Sequence, residues 1–273
     1  MKNSEESKEG FITSHGFKMH YLEWGEKGAS IVALHSMMAD AHSFDLFSRA
    51  MAQDCRVLAI DLLGHGDSDK STSKISIEEQ TEIVREVVQK REFTNIILVG
   101  HSIGGFLSVV YAARHPEEVS KLILVDIAPR DPAERKGGRG TYDTPIFNSR
   151  SEVEEYFEEQ FSTFTPEALE NRLRFGVEEM PKGKFRLKTS MATLAMITET
   201  IALADIRPYV KMVKAPTLLV KGGESANVSK RSVELLKTTL KDFTLVEVAE
   251  ATHMVPQDQP KEFEETIRKF IQQ

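Results

Sequence analysis

The chain has 273 residues, a formal net charge of −7 and a single cysteine, Cys55. That length suits one α/β domain carrying an insertion, and the lone cysteine excludes an internal disulfide or a cysteine metal cluster. Acidic and basic residues are spread along the chain, which argues against a nucleic-acid partner, and no run reaches the roughly 18 apolar residues of a membrane span.

Residues 1–10 read as a flexible, charged tail without the apolar core of a signal peptide, so a cytoplasmic location is expected. Residues 18–23 alternate and predict an edge strand. Residues 30–34 and 56–60 are continuous apolar runs, the pattern of strands buried on both faces. Ser76-Ile77-Glu78-Glu79 is a capping box opening a helix with Ile83, Val84, Val87 and Val88 on one face.

A further apolar run, 96–99, feeds into Gly100-His101-Ser102-Ile103-Gly104, and a segment of helical spacing follows. This is the G-x-S-x-G nucleophile elbow in the strand–turn–helix context it requires. A serine on that sharp turn projects its hydroxyl from the sheet edge, and the flanking glycines let the two arms approach. The backbone N–H of Ile103 points where an oxyanion would form, with the helix N-terminus behind it.

Residues 122–125 predict the next strand, ending at Asp126. The strand–helix rhythm then breaks until about Tyr209. Residues 130–143 read as a basic loop, with Arg130, Arg135, Lys136 and Arg139. Val153, Tyr156, Phe157, Phe161 and Phe164 recur at helical spacing, Thr165-Pro166 opens another helix, and Met191, Leu194, Ala195 and Thr198 line a third. Residues 130–209 are therefore expected to form a helical cap on a core made of 11–129 and 210–273. Runs at 217–220 and 244–248 restore the rhythm. Ser229 caps one helix, and Pro260 begins a last one carrying Phe263, Ile267 and Phe270. The alternation implies a mostly parallel sheet with helices on both faces.

A serine hydroxyl needs a base, and the base needs an orienting acid. Of the eight histidines, His253 lies in the loop after the last apolar strand, at the sheet edge where the elbow sits. It is the expected base; His35 and His65 are expected to be structural, and the side chain of His101 to point away from the nucleophile.

Taken together, Leu34-His35-Ser36-Met37, Asp61-Leu62-Leu63-Gly64-His65-Gly66-Asp67-Ser68, the Ser102 elbow and the His253 loop resemble the α/β-hydrolase family from about Phe11 onward. The resemblance implies the α/β-hydrolase fold and an oxyanion hole completed by the N–H of Met37. It implies no organic cofactor and no metal. Two departures stand out. Ser36 replaces the family's usual glycine, and the loop 222–229, where most members carry the triad acid, contains no Asp. Asp126, at a strand end on the same sheet edge, is the alternative acid. Its surroundings resemble a subset that includes small esterases and an amide hydrolase acting on acetamidomethylene-succinate. Glu224 is the competing carboxylate, and reads as a solvated loop residue. Ser225, in the vacated acid position, would then bridge to Asp126 or His253.

The implied activity is acyl transfer by Ser102, His253 and Asp126 on a small carboxylic ester, a small-molecule acyl substrate. Amide, lactone, thioester and carbon–carbon bond hydrolysis remain open on the same triad. So does a non-catalytic, ligand-binding member of the fold. Neither nucleic acid nor membrane is expected as a partner, and the oligomeric state is open.

Overall fold

A computed structural model describes residues 6–71, 73–129, 145–189, 191–197, 199–200 and 204–273, with backbone alone for 191–193. A hairpin opens the chain, β1 (Lys8–Ser14) against β2 (Phe17–Trp24). It is followed by β3 (Ala29–Leu34), α1 (Asp45–Met51), β4 (Cys55–Ile60), α2 (Ile77–Lys90), β5 (Ile96–His101), α3 (Ile103–Arg114) and β6 (Val119–Val125). The insertion carries β7 (Ile146–Phe147), α4 (Arg150–Gln160), α5 (Pro166–Phe175), β8 (Val177–Met180), β9 (Lys184–Leu187), α6 (Met191–Ile197) and α7 (Arg207–Val210). The chain closes with β10 (Thr217–Gly222), α8 (Lys230–Thr239), β11 (Phe243–Val248), α9 (Val255–Asp258) and α10 (Pro260–Ile271).

Eight strands form one sheet in the order β1-β2-β4-β3-β5-β6-β10-β11. Every pair from β4 to β11 is parallel, and only the β1–β2 and β2–β4 pairs are antiparallel. The apolar runs are explained by what each face meets. Val32, Leu58, Leu98, Leu122 and Leu219 pack with α2, α3 and α8 on one face. Ile31, Val57, Ile97, Ile123 and Leu218 pack with α1 and α10 on the other. Alternate side chains therefore enter two separate cores, which makes the stretches 31–34, 57–60, 96–99, 122–125 and 218–220 continuously apolar, while Ser30, Arg56, Lys121 and Lys221 flank them. Burying each such side chain stabilises the fold by roughly 1.5–3 kcal/mol.

The caps form as the sequence suggests. Ser76 and Glu79 make a reciprocal capping box at the start of α2, and the Ser229 side chain accepts from the N–H of Ser232 at the start of α8; each is worth about 1 kcal/mol. Phe263, Ile267 and Phe270 are the buried positions of α10.

Four expectations need correction. The strand over 18–23 is not at the edge, because β1 pairs along its outer side. That strand begins at Lys8, inside the segment read as tail, and its exposed residues hid it from a burial pattern. The insertion is also not purely helical: β7, β9 and β8 form a small antiparallel sheet. These strands have two to four residues, too short for a periodic signal. Phe147, Val153, Phe157, Val177 and Leu187 make a separate apolar cluster there. In α6 it is Leu194 and Ile197 that are buried, whereas Ala195 is exposed. Thr198 and the basic loop with Arg130, Arg135, Lys136 and Arg139 lie outside the described residues. Among those described, no helix is long and apolar enough to cross a membrane.

Candidate active site

Because β3, β5, β6, β10 and β11 are parallel, the loops that follow them emerge at one sheet edge, where ligands bind in open α/β sheets. Ser102 sits there between β5 and α3, at φ 51° and ψ −113°. A positive φ at a non-glycine residue stores of order 1–3 kcal/mol of strain and persists only where its surroundings enforce it. Here the Ser102 N–H donates to Val125 O at 3.1 Å, and the N–H groups of Gly105 and Phe106 donate to Ser102 O at 2.9 and 3.2 Å. The glycines are sterically required. A Cβ on Gly100 would lie 2.3 Å from Ser108 Oγ, and one on Gly104 would lie 2.2 Å from Leu34 O. Ile103 opens α3, so its N–H has no acceptor within the helix.

The loop after β3 is tied to this elbow by Gly104 N–H donating to His35 O at 3.2 Å. The His35 ring is buried and bonded at both nitrogens. Nδ1–H donates to Ser36 O at 2.8 Å, and Nε2 accepts from Leu62 N–H at 2.9 Å. Burial holds its pKa below the ordinary histidine value. Ser36 takes the family's glycine position without a positive φ; the left-handed residue of this loop is Met38, at φ 66°. Met37, between them, is half-buried.

His253 follows β11 in a loop held by Thr252, whose N–H and Oγ1–H both donate to Asp258 Oδ2, at 2.8 and 2.6 Å. His101 supports the same loop from below. Its buried ring lies 4.9 Å from that of His253, and its Nε2–H donates to the His253 carbonyl at 2.8 Å. Burial, with the neighbouring His253 charge, pushes the His101 pKa down to about 3, so this ring stays neutral. The residue before Ser102 thus anchors the loop bearing the expected base.

Asp126 is fully buried, at φ 46°, directly after β6. Its Oδ2 lies 2.7 Å from His253 Nδ1 and accepts from Ser225 Oγ–H at 2.5 Å. Its Oδ1 accepts from Gly222 N–H at 3.0 Å. Burial opposes its ionisation, but the hydrogen bonds from His253 and Ser225, the His253 charge and the Gly222 amide outweigh it, and the pKa falls below the ordinary carboxylate value. A carboxylate can only accept, so Nδ1 of His253 carries the proton and Nε2 is left with its lone pair. Glu224 is exposed and is held through its backbone, N–H to Ala251 O at 3.0 Å. The structure thus brings Asp126, His253 and Ser225 into one cluster and leaves the Glu224 side chain in solvent.

A cavity of about 110 Å³ lies beside these loops, with Met37, Met38, Leu46, Phe161, Phe164 and Met254 among its lining residues. Neither Ser102 nor His253 is in its wall, but Met37 is the expected oxyanion residue and Met254 follows His253 in the chain. The patterning of the insertion does not single out Arg172, Asn171 or Gln257, which also line it. The only sequence signal for Arg172 is its place in the basic last turn of α5. His20, Asp61 and Asp67 come within metal-ligand reach of one another. Asp61, however, already accepts from the His20 ring at 2.7 Å and from the N–H groups of Ala41 and Asp67 at 2.6 and 2.8 Å. It holds the turn after β4, as its strand-end position suggests.

The fold and the elbow loops define an α/β hydrolase, and comparison with known proteins agrees. The chain belongs to the alpha/beta hydrolase fold family, whose profile matches residues 29–260. It is 26% identical over 258 residues to the sn-1-specific diacylglycerol lipase ABHD11 of Mus musculus, covering 89% of this chain and 80% of that one. It is 25% identical over 251 residues to 2-(acetamidomethylene)succinate hydrolase of Mesorhizobium japonicum, covering 90% of each. The crystal structure of E-2-(acetamidomethylene)succinate hydrolase superposes with a TM-score of 0.90 at 22% identity, covering 98% of this chain and 100% of that one. An esterase from Mycobacterium tuberculosis superposes at 0.80 with 22% identity, covering 98% and 92%. A hydrolase activity follows from the family and from relatives named lipase, esterase and hydrolase.

Proposed function

We propose that this chain is a serine hydrolase that cleaves a small carboxylic ester by acyl transfer. The observation that carries the reading is the 2.7 Å contact between buried Asp126 and His253, at the sheet edge that bears the Ser102 elbow. Ser102 Oγ attacks the acyl carbonyl while His253 Nε2 takes its proton. The carbonyl oxygen becomes an oxyanion held by the N–H groups of Met37 and Ile103. His253 returns the proton to the departing alcohol as the C–O bond breaks. Water, deprotonated by the same nitrogen, then releases the acid and restores Ser102. Asp126 holds the imidazole tautomer and stabilises its cation, with Ser225 as an auxiliary donor to the carboxylate.

The cavity supports an uncharged acyl group. Its walls include Met38, Leu46, Phe161 and Phe164, and the guanidinium of Arg172 beside it is already paired with Asp40 at 2.9 Å. The test is a chain-length series of p-nitrophenyl esters beside a fluorophosphonate label. Saturable hydrolysis with the label on Ser102 is the expected result. Labelling without turnover of any ester removes the ester reading.

A second reading, amide hydrolysis, is favoured by the likeness to the acetamidomethylene-succinate enzyme over nearly the whole chain. Comparing an N-acyl amide with the matched ester decides between them: kcat/KM for the amide equal to or above that for the ester selects the amide.

A further inference from the structure

We infer that Arg172, on the insertion, is a positioning residue for the oxyanion hole. The inference rests on the serine-hydrolase reading above. Its starting point is the turn 36–39, which carries Met37. The turn is closed by Ala39 N–H donating to Ser36 O at 3.1 Å, and its third residue, Met38, has φ 66°. That turn position ordinarily takes glycine, because a Cβ is strained there. A methionine stays in it only if its neighbours hold the peptide in place.

Arg172, which lines the cavity beside Met38, does so. Its Nη2–H donates to the Met38 carbonyl, and its Nη1–H donates to Asp40 Oδ2 at 2.9 Å. The fork therefore grips the peptide after Met38 and the side chain two residues on. The pair is shielded from water, with side chains 9% and 7% exposed. The guanidinium is itself confined, facing the Phe157 ring at 5.5 Å and packed so closely on Gly176 that a Cβ there would lie 2.7 Å from Nη1. Adjacent contacts keep α5 seated on this segment. Asn171 Nδ2–H donates to Asp45 Oδ2 at 3.3 Å, and the Phe175 ring stacks on His42 at 3.5 Å. A planar fork with two fixed donors can define a carbonyl and a carboxylate at once, which a lysine ammonium cannot. Arg172 touches no reacting atom. It acts through Met38 on the direction of the Met37 N–H, so the oxyanion hole is complete only while the insertion is docked.

The test compares wild type with Arg172→Met, Arg172→Lys and the double variant Arg172→Met/Asp40→Asn. Each is assayed on p-nitrophenyl acetate and p-nitrophenyl hexanoate, and for inhibition by an alkyl trifluoromethyl ketone, whose tetrahedral adduct carries an oxyanion. A lost oxyanion donor costs about 10²–10³ in kcat, and a misdirected one should cost a part of that. The expected result for Arg172→Met is a fall in kcat of about 10–100-fold on both esters with KM within about twofold. Ketone inhibition should weaken by the same factor, and Arg172→Lys should fall between. Wild-type kcat on the acetate, or a loss confined to KM or to the longer ester, overturns the inference, because that is what a purely structural or acyl-contacting arginine would give. Arg172→Met leaves Asp40 buried without its cation; if it does not fold, the double variant is read against the same outcomes. Fluorophosphonate labelling of wild-type Ser102 separates the two levels. Absence of labelling removes the serine-hydrolase reading and this inference with it. Labelling with wild-type kcat in the variants removes this inference alone.

Discussion

Asp126 Oδ2 and His253 Nδ1 meet at 2.7 Å across 127 residues of chain. The carboxylate is fully buried, whereas the histidine side chain keeps 30% of its surface. The acid is thus shielded from water and the ring remains accessible, the division of roles expected for an orienting acid and a base. Asp126→Asn should leave the fold intact but favour the wrong imidazole tautomer, lowering kcat by about 10⁴ near neutral pH if the site behaves like the protease triad. Glu224→Gln, at an exposed loop residue, should change kcat by less than about twofold. Measuring both variants side by side on one ester decides the assignment, and a crippled Glu224→Gln beside a normal Asp126→Asn reverses it.

Ser102→Ala should keep the far-ultraviolet circular dichroism of wild type and lose hydrolysis by about 10³-fold or more. The strain at φ 51° is borne by the backbone and remains in the alanine variant. Peptide mapping after fluorophosphonate treatment should place the adduct on Ser102. An adduct on Ser225, whose hydroxyl is engaged with Asp126, would contradict the assignment. Ser225→Ala itself should cost about tenfold or less, since it removes one hydrogen bond worth about 1 kcal/mol.

Phe161 and Phe164 stack at 4.6 Å and both line the cavity. Phe161→Ala should move the best p-nitrophenyl ester to a longer acyl chain. Each added methylene that gains a buried place contributes about 0.8 kcal/mol. The acetate, too short to reach the enlarged space, should keep its kcat/KM within about threefold. A chain-length profile identical to wild type would show that the acyl group lies elsewhere.

His65 and His101 are fully buried and neutral. Burial and the neighbouring His35 push the first to about 3, and burial and the neighbouring His253 push the second to about 3. In the unfolded chain each titrates near about 6.5. Both folded values are depressed, so the stability these rings supply is complete above the unfolded value. It is lost as pH falls from about 6.5 toward about 3, by up to about 1.4 kcal/mol per pH unit for each ring. His20 works in the opposite sense. Burial opposes its protonation, but the hydrogen bond and charge of Asp61 outweigh that and raise its pKa. The net expectation is a urea midpoint that falls between pH 7 and pH 4.5, with a shallower fall in His65→Phe. Equal slopes for wild type and variant would refute it.

The strands of the parallel sheet were legible because both of their faces enter cores, which leaves unbroken apolar runs such as Ile31-Val32-Ala33-Leu34. The elbow was legible because backbone crowding at Gly100 and Gly104 admits no side chain, so the chemistry and the glycines must appear together. The same logic placed His253 after the last strand, since parallel strands deliver their following loops to one edge. β1 carries no burial pattern because its outer residues are exposed, and β7, β8 and β9 are too short to repeat one. Which carboxylate turns toward His253 depended on contacts between segments 127 residues apart. Spacing along the chain could narrow the choice to Asp126 or Glu224, but only packing determines which carboxylate is buried against the imidazole and which faces water. The clasp of Arg172 on Met38 and Asp40 is of the same kind. It joins residues more than 130 positions apart, and an arginine on a helix carries no mark of the loop it will reach.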